Sequence, residues 1–322
     1  MVILHHYKSL AGKEYWYGVI ANDGRNVVLC GRNVRVFDCS KEMFTQTLFH
    51  SNNAIVALSH DQNSVCAVST SSKGIGVLAE SVLRNGIFIE SVRIPIRGNN
   101  LDGGKPYYSS ENKYIFFCTD SRKIWRYERG TTVCECIYQV SQPDQRLSLD
   151  VFEDQLLITL NSSKEAHLNG FDFLNVDGVL MKSLRYTDKG LLSKIIRGKW
   201  INMYKIIAVY PSALNAPYDM MQKIDWNILD SIDTTRSEPI MEKKYKIFYD
   251  ICISPKRNYI VYIYIDLFHE GKYNISIYRA DELMVYETTV DNYTDIEFSD
   301  NEKYIFICSD LFLKIDLENA VC

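Results

Sequence analysis

Ser109-Ser110-Glu111-Asn112-Lys113-Tyr114-Ile115-Phe116-Phe117-Cys118 and Ser299-Asp300-Asn301-Glu302-Lys303-Tyr304-Ile305-Phe306-Ile307-Cys308 are two copies of one pattern. A serine opens a short polar stretch, and an unbroken apolar run follows. Ser254 to Tyr262 is a third copy and Ser59 to Val68 a fourth; Ala21 to Cys30, Val151 to Ile158 and Ile201 to Val209 are weaker ones. Asp, Asn, Gly, Pro and Ser suit the polar stretch because they tolerate turn dihedrals or cap the turn locally. A continuously apolar run reads as a strand buried on both faces. Each copy is therefore a hairpin turn feeding an inner strand.

From position 26 to position 304 the copies advance in six steps averaging about 46 residues, within the roughly 40–50 residues of a four-stranded propeller blade. After each inner run comes a strand of alternating character: Val34 to Asp38, Lys123 to Tyr127, Phe171 to Phe173, Lys223 to Trp226, Ile275 to Tyr278 and Leu313 to Asp316. Alternation gives one packed and one wetter face. An outer strand follows, as in Phe44 to Leu48, Val133 to Ile137, Val179 to Leu184 and Leu283 to Thr288. The last copy lacks this fourth strand, while a spare strand, Val2 to Tyr7, precedes the first copy. The expected fold is all-β: a seven-bladed β-propeller, residues 1–322 in a single domain, its last blade completed by the N-terminal strand. Such closure removes an exposed edge. Thr187 to Tyr204, with Leu191, Leu192, Ile195 and Ile196 at helical spacing, reads as a short helix between the fourth and fifth copies.

Period and strand pattern resemble the WD40-like and YVTN-type β-propeller superfamily over nearly the whole chain. No Trp-Asp dipeptide closes a blade and no Gly-His pair opens one; Trp226 follows Asp225 in reversed order. The resemblance implies binding on the face built from the loops entering each blade and the loops between its second and third strands. On that expectation the candidate binding residues are Trp16, Arg32, Lys73, Tyr107, Arg122, Trp200, Tyr210 and Tyr218, aromatic or cationic side chains of the kind that dominate interface energetics. The stretch Tyr210 to Tyr218, stiffened by Pro211 and Pro217, is the first place to look for a partner.

Composition narrows the classes. The balance of 47% hydrophobic and 24% charged residues is that of a soluble globular chain. A formal net charge of −4 with no basic run gives no general attraction for nucleic acid or an anionic membrane. The longest apolar run, Tyr259 to Ile265, is far short of the roughly 20 residues that span a bilayer. Nine cysteines, an odd number, include Cys30, Cys66, Cys118, Cys252 and Cys308 inside apolar runs, which points to a reducing, cytoplasmic setting.

Motifs for chemistry are few. Cys134-Glu135-Cys136 lacks the second ligand pair a zinc site needs, so its thiols read as core or surface groups. His5 and His6 point to opposite faces of a strand, and His50, His60, His167 and His269 read as isolated surface residues. Asn99 to Gly104 reads as a plain loop, lacking both the calcium-loop and the phosphate-loop pattern. No Gly-x-Ser-x-Gly or His-Glu-x-x-His is present. The expectation is a non-enzymatic, loop-presenting binding scaffold: a monomer without cofactor or metal, binding a protein or peptide through its loops. The alternative is a lactonase- or glycan-processing-like propeller enzyme with a site at the central channel. A neutraliser of another protein, such as an immunity factor, is a third reading that sequence does not separate from the first.

Overall fold

The computed structural model describes residues 3–7, 10, 15–50, 52–70, 75–96, 105–162, 164–185, 197–210, 220–225, 238–239, 246–266, 271–280, 283–310 and 312–317. These form seven four-stranded antiparallel sheets. Strand β1 (Ile3–His6) precedes the first sheet, β2 (Tyr15–Ile20), β3 (Asn26–Gly31), β4 (Asn33–Asp38) and β5 (Met43–His50). The second holds β6 (Asn52–Leu58), β7 (Ser64–Thr70), β8 (Gly76–Arg84) and β9 (Ile87–Ile96). The third holds β10 (Tyr107–Tyr108), β11 (Tyr114–Thr119), β12 (Lys123–Glu128) and β13 (Cys134–Gln139). The fourth holds β14 (Gln145–Phe152), β15 (Gln155–Ser162), β16 (Gly170–Asn175) and β17 (Leu180–Arg185). The fifth holds β18 (Arg197–Asn202), β19 (Lys205–Tyr210), β20 (Met220–Asp225) and β21 (Glu238–Pro239). The sixth holds β22 (Lys246–Ile253), β23 (Tyr259–Asp266), β24 (Lys272–Arg279) and β25 (Met284–Asp291). In the seventh, β26 (Asp295–Phe298), β27 (Tyr304–Cys308) and β28 (Leu313–Asp316) are joined by β1.

The repeated serine builds the turn between first and second strands. In four sheets Ser59, Ser109, Ser254 and Ser299 are buried, and each N–H donates to the carbonyl five residues on. Each hydroxyl oxygen in return accepts the N–H of that fifth residue, Ser64, Tyr114, Tyr259 or Tyr304, at 2.9–3.0 Å. The residue three places on is left-handed: Gln62, Asn112, Arg257 and Glu302, with φ of 61°, 56°, 65° and 63°. The first sheet makes the same turn on Ala21, with Gly24 at φ 64°; Asp23 Oδ1 replaces the missing hydroxyl, accepting from Arg25 N and Asn26 N.

Burial falls from the inner to the outer strand. In β11, β15, β23 and β27 consecutive side chains are buried, whereas β5, β9, β13, β17 and β25 alternate or are largely exposed. Within each compact unit, sheets that follow one another pack face to face, the propeller arrangement. Two compact units result, residues 1–99 with 247–322, and residues 100–246. In the first unit, one core joins the sixth and seventh sheets through Val261, Ile263, Ile305 and Ile307. A second joins the seventh and first through Phe306, Leu29 and Phe37, and a third joins the first and second through Val28, Val34, Val56 and Val65. In the second unit, Phe116, Ile124, Leu156 and Ile158 join the third and fourth sheets, and β14 and β15 pack on β18.

The expected N-terminal strand is present. β1 pairs antiparallel with β28, Ile3 opposite Asp316 and His6 opposite Leu313. Tyr7 anchors it: its N–H donates to Phe312 O at 3.1 Å, and its buried ring meets Phe37 edge-on at 5.6 Å.

Two expectations change. Arg197–Asn202, inside the stretch expected to be helical, is strand β18, because Gly198 lets Phe171 approach so closely that an added Cβ would lie 2.2 Å from its ring; residues 187–196 lie outside the described residues. Strand β16 was expected to keep one wet face, yet Phe171, Asp172 and Phe173 are all buried. Asp172 is accommodated because Tyr138 and Ser183 donate hydroxyl hydrogen bonds to it at 2.6 and 2.7 Å and Arg185 pairs with it.

Candidate functional site

The sequence-derived binding residues are scattered. Arg32 is exposed in the turn between β3 and β4, and Arg122 sits in the turn between β11 and β12, donating to Gln142 O. Trp16 is half-buried within β2. Tyr107 lies in β10 and donates its hydroxyl hydrogen to Leu149 O at 3.1 Å. Trp200 was expected in a loop; it is fully buried in β18, edge-on to Phe173 at 5.5 Å, with its main-chain N–H on Asp150. Tyr210 ends β19, its side chain undescribed. Lys73, Tyr218 and residues 99–104 and 211–219 lie outside the described residues, as does His269.

In the first unit the two ends of the sheets differ. At the end carrying the serine turns, neighbouring sheets are laced together. Asn301 donates to Asn22 twice, at 2.7 and 2.9 Å; Asn22 N donates to Gln62 Oε1; and Glu302 accepts from Lys256 N and Asn258. His60, expected to be an isolated surface residue, meets Asp300 at 2.8 Å. Those polar groups are committed to one another.

The opposite end gathers aromatic and acidic side chains that no single stretch of sequence announces. Tyr249, Tyr273 and Tyr293 lie with ring centres 5.1–6.0 Å apart, and Tyr249 is 38% exposed. Asp250 follows Tyr249 on β22, and Asp295 and Glu297 share one face of β26. Tyr17 of β2 donates to Glu297 Oε1 at 3.0 Å. Burial first, then the charges of Glu297 and Asp295, push the Tyr17 hydroxyl well above its ordinary range. Burial, then Asp295 and Asp250, do the same to Tyr293. Both phenols are therefore neutral donors over the physiological range. Asp291 and Asp310, exposed, stand by Asn292, which donates to Asp310 at 2.6 Å.

The second unit presents a different group, on the first strands of its sheets. Lys199 Nζ lies 3.4 Å from the buried Asp150 and 3.5 Å from the Tyr107 hydroxyl, and Lys105 Nζ stands 5.4 Å from the centre of the Tyr107 ring. Among the described residues no three His, Cys, Asp or Glu side chains are placed to hold a metal ion, and no helix is long and apolar enough to cross a membrane.

Fold and side-chain placement define the class: an all-β propeller arrangement of small antiparallel sheets. No known protein-family model matches the chain. No curated protein matches it either. The class rests on architecture, and no family is assigned.

Proposed function

We propose that the seven sheets are the blades of one propeller and that the protein is a non-enzymatic binding module for a protein or peptide. The observation that carries this reading is the tyrosine group at the end of the first unit opposite the laced turns: Tyr249 exposes its ring while Tyr273 and Tyr293 hold it edge-on. A rigid aromatic side chain held by its neighbours supplies contact area with little conformational entropy to lose. A monomer in the cytoplasm is the accompanying reading, supported by the buried thiols of Cys30, Cys66, Cys118 and Cys308. The test is affinity capture with the full chain as bait, repeated with Tyr249→Ala and with Val179→Ala as a surface control. A stoichiometric partner retained by the control and lost with Tyr249→Ala supports the reading. Partners unaffected by Tyr249→Ala refute this placement of the site.

One observation favours the enzyme alternative: Asp250, Asp295 and Glu297 all act electrostatically on the buried Tyr293. Carboxylates grouped in a low-dielectric setting are the raw material of acid–base catalysis. A hydrolytic activity abolished by Asp295→Asn in a folded chain supports that reading; full activity in the variant removes it.

A further inference from the structure

Strand β13 places Cys134 and Cys136 two residues apart on the outermost strand of the third sheet. Residues at that spacing share a face, and the pairing register confirms it, setting Cys134 opposite Tyr127 and Cys136 opposite Trp125. Cys134 is half-buried and Cys136 exposed. Glu135 between them turns to the other face, where Arg126 Nε donates to it at 3.0 Å. Arg126 also donates to Val176 O and Asp177 at 2.9 and 3.0 Å, so the middle residue is tied through one guanidinium to the neighbouring sheet. The backbone that carries the two thiols is thereby held; the Cys136 thiol donates to Tyr138 O at 3.4 Å, a hydrogen bond that metal binding replaces.

Such a pair suits some chemistries and not others. Same-face neighbours on a strand, at about 3.3 Å per residue, lie about 6.6 Å apart at Cα, near the outer limit for a disulfide. A linear sulfur–metal–sulfur bridge of two bonds of about 2.3 Å spans about 4.6 Å between sulfurs, which two staggered side chains on that backbone reach. Zinc asks for four ligands in a tetrahedron, and the described surroundings offer no second pair. Thiolates select soft cations such as copper(I). The flanking Trp125 and the buried Tyr127 give the sulfurs an apolar side wall.

We propose that Cys134 and Cys136 form a two-coordinate thiolate site for copper(I). Binding converts two thiols and one copper(I) ion into a copper–dithiolate and releases two protons; copper remains in the +1 state and no electron is transferred. The site lies on an exterior strand of the second unit and is independent of the tyrosine group in the first.

The experiment is an anaerobic titration of the reduced, full-length chain with copper(I) against the chromogenic chelator bathocuproine disulfonate. The expected result is one equivalent withheld from the chelator by the wild-type chain. Cys134→Ser and Cys136→Ser each lose it, while Cys252→Ser and Cys322→Ser keep it. A wild-type chain that yields all its copper to the chelator overturns the proposal, as does a Cys134→Ser/Cys136→Ser double variant that still withholds one equivalent. A second measurement needs no variant: copper(I) is expected to protect both thiols together from N-ethylmaleimide, read by peptide mass spectrometry. Unchanged alkylation of either cysteine in the presence of one equivalent also overturns it.

Discussion

Replacing Ser109 by alanine tests the turn on which the fold is built. The hydroxyl is buried and its oxygen accepts the Tyr114 N–H at 2.9 Å, while the main-chain bonds Ser109 N to Tyr114 O and Asn112 N to Ser109 O remain available to the variant. The change therefore removes one hydrogen bond and strands one main-chain donor at the entrance of an inner strand. A donor left without a partner in the interior costs about 1–3 kcal/mol, so the folded-to-unfolded ratio falls about 5- to 160-fold. The first sheet suggests the repair. Ala21 occupies the serine position there, and Asp23, two residues on, accepts the equivalent N–H of Asn26 at 3.1 Å. The residue two places beyond Ser109 is Glu111, exposed and one methylene too long. Glu111→Asp added to Ser109→Ala reproduces the Ala-x-Asp turn and is expected to recover more than half of the loss; Glu111→Asp alone is expected to be near neutral. The assay is urea denaturation followed by tryptophan fluorescence and far-ultraviolet circular dichroism, comparing midpoints at unchanged slope. A Ser109→Ala midpoint equal to wild type, or a double variant no better than the single, refutes the account of the turn.

Three further outcomes follow from named contacts. Tyr7→Ala removes the ring that anchors β1 among Phe37 and Phe306 and is expected to cost about 3–5 kcal/mol; an unchanged melting temperature defeats the clasp. Gln46 accepts from Phe88 N at 3.0 Å and donates to Phe88 O at 2.5 Å, covering part of the outer edge of β9, which Pro95 and the extra residue Ser91 also interrupt. Gln46→Ala is expected to promote concentration-dependent association in light scattering, and a variant that stays as monodisperse as wild type removes that role. The Arg25 guanidinium holds the Asp38 carboxyl well below the usual carboxylate range, with Ser40 and Lys41 N–H groups adding to it. A depressed folded pKa means that the unfolded chain binds more protons in acid, so the contribution is present above about pH 4 and lost as pH falls below it. Asp38→Asn is expected to flatten the acid limb of the stability profile; an unaltered limb counts against the pairing.

The strands were legible because each hairpin is local. Turn residue, left-handed position and inner run lie within ten residues, and the clearest copies are those whose buried serine closes the turn. The weak copies are weak for a structural reason. Between β14 and β15 the turn is two residues, Glu153 and Asp154 at φ 46° and 60°, which needs no serine. Between β18 and β19, Asn202 caps Tyr204 N and Lys205 N with its own side chain. Trp200 was misplaced because Arg197, Gly198 and Lys199 before it look like loop; the Gly198 N–H donates to Thr159 and the Lys199 ammonium pairs with Asp150, both across to the fourth sheet. The tyrosine and carboxylate group was not legible at all. Tyr17 and Glu297 are 280 residues apart in the chain, and nothing in either local sequence names the other.

That contrast bears on where function resides. A turn repeated for stability has its polar groups used up within the fold: the serine hydroxyl in the turn itself, and Asn22, Gln62, Asn301 and Glu302 in the lacing between sheets. Substitution there is expected to act on stability first. The opposite end of the same sheets is built by residues that do not recur from copy to copy. Tyr249 comes from a first strand, Tyr273 from a third and Tyr293 from the connection that enters the next sheet. Their convergence owes nothing to the repeat, so the repeat does not explain why an aromatic ring should stand there partly exposed. The proposed binding role does, and it makes a distinguishing demand: Tyr249→Ala should cost no more than the two edge-on ring contacts, about 1–3 kcal/mol, while abolishing capture of a partner at temperatures where the variant is fully folded. Capture that is lost only where the variant unfolds would return Tyr249 to the scaffold.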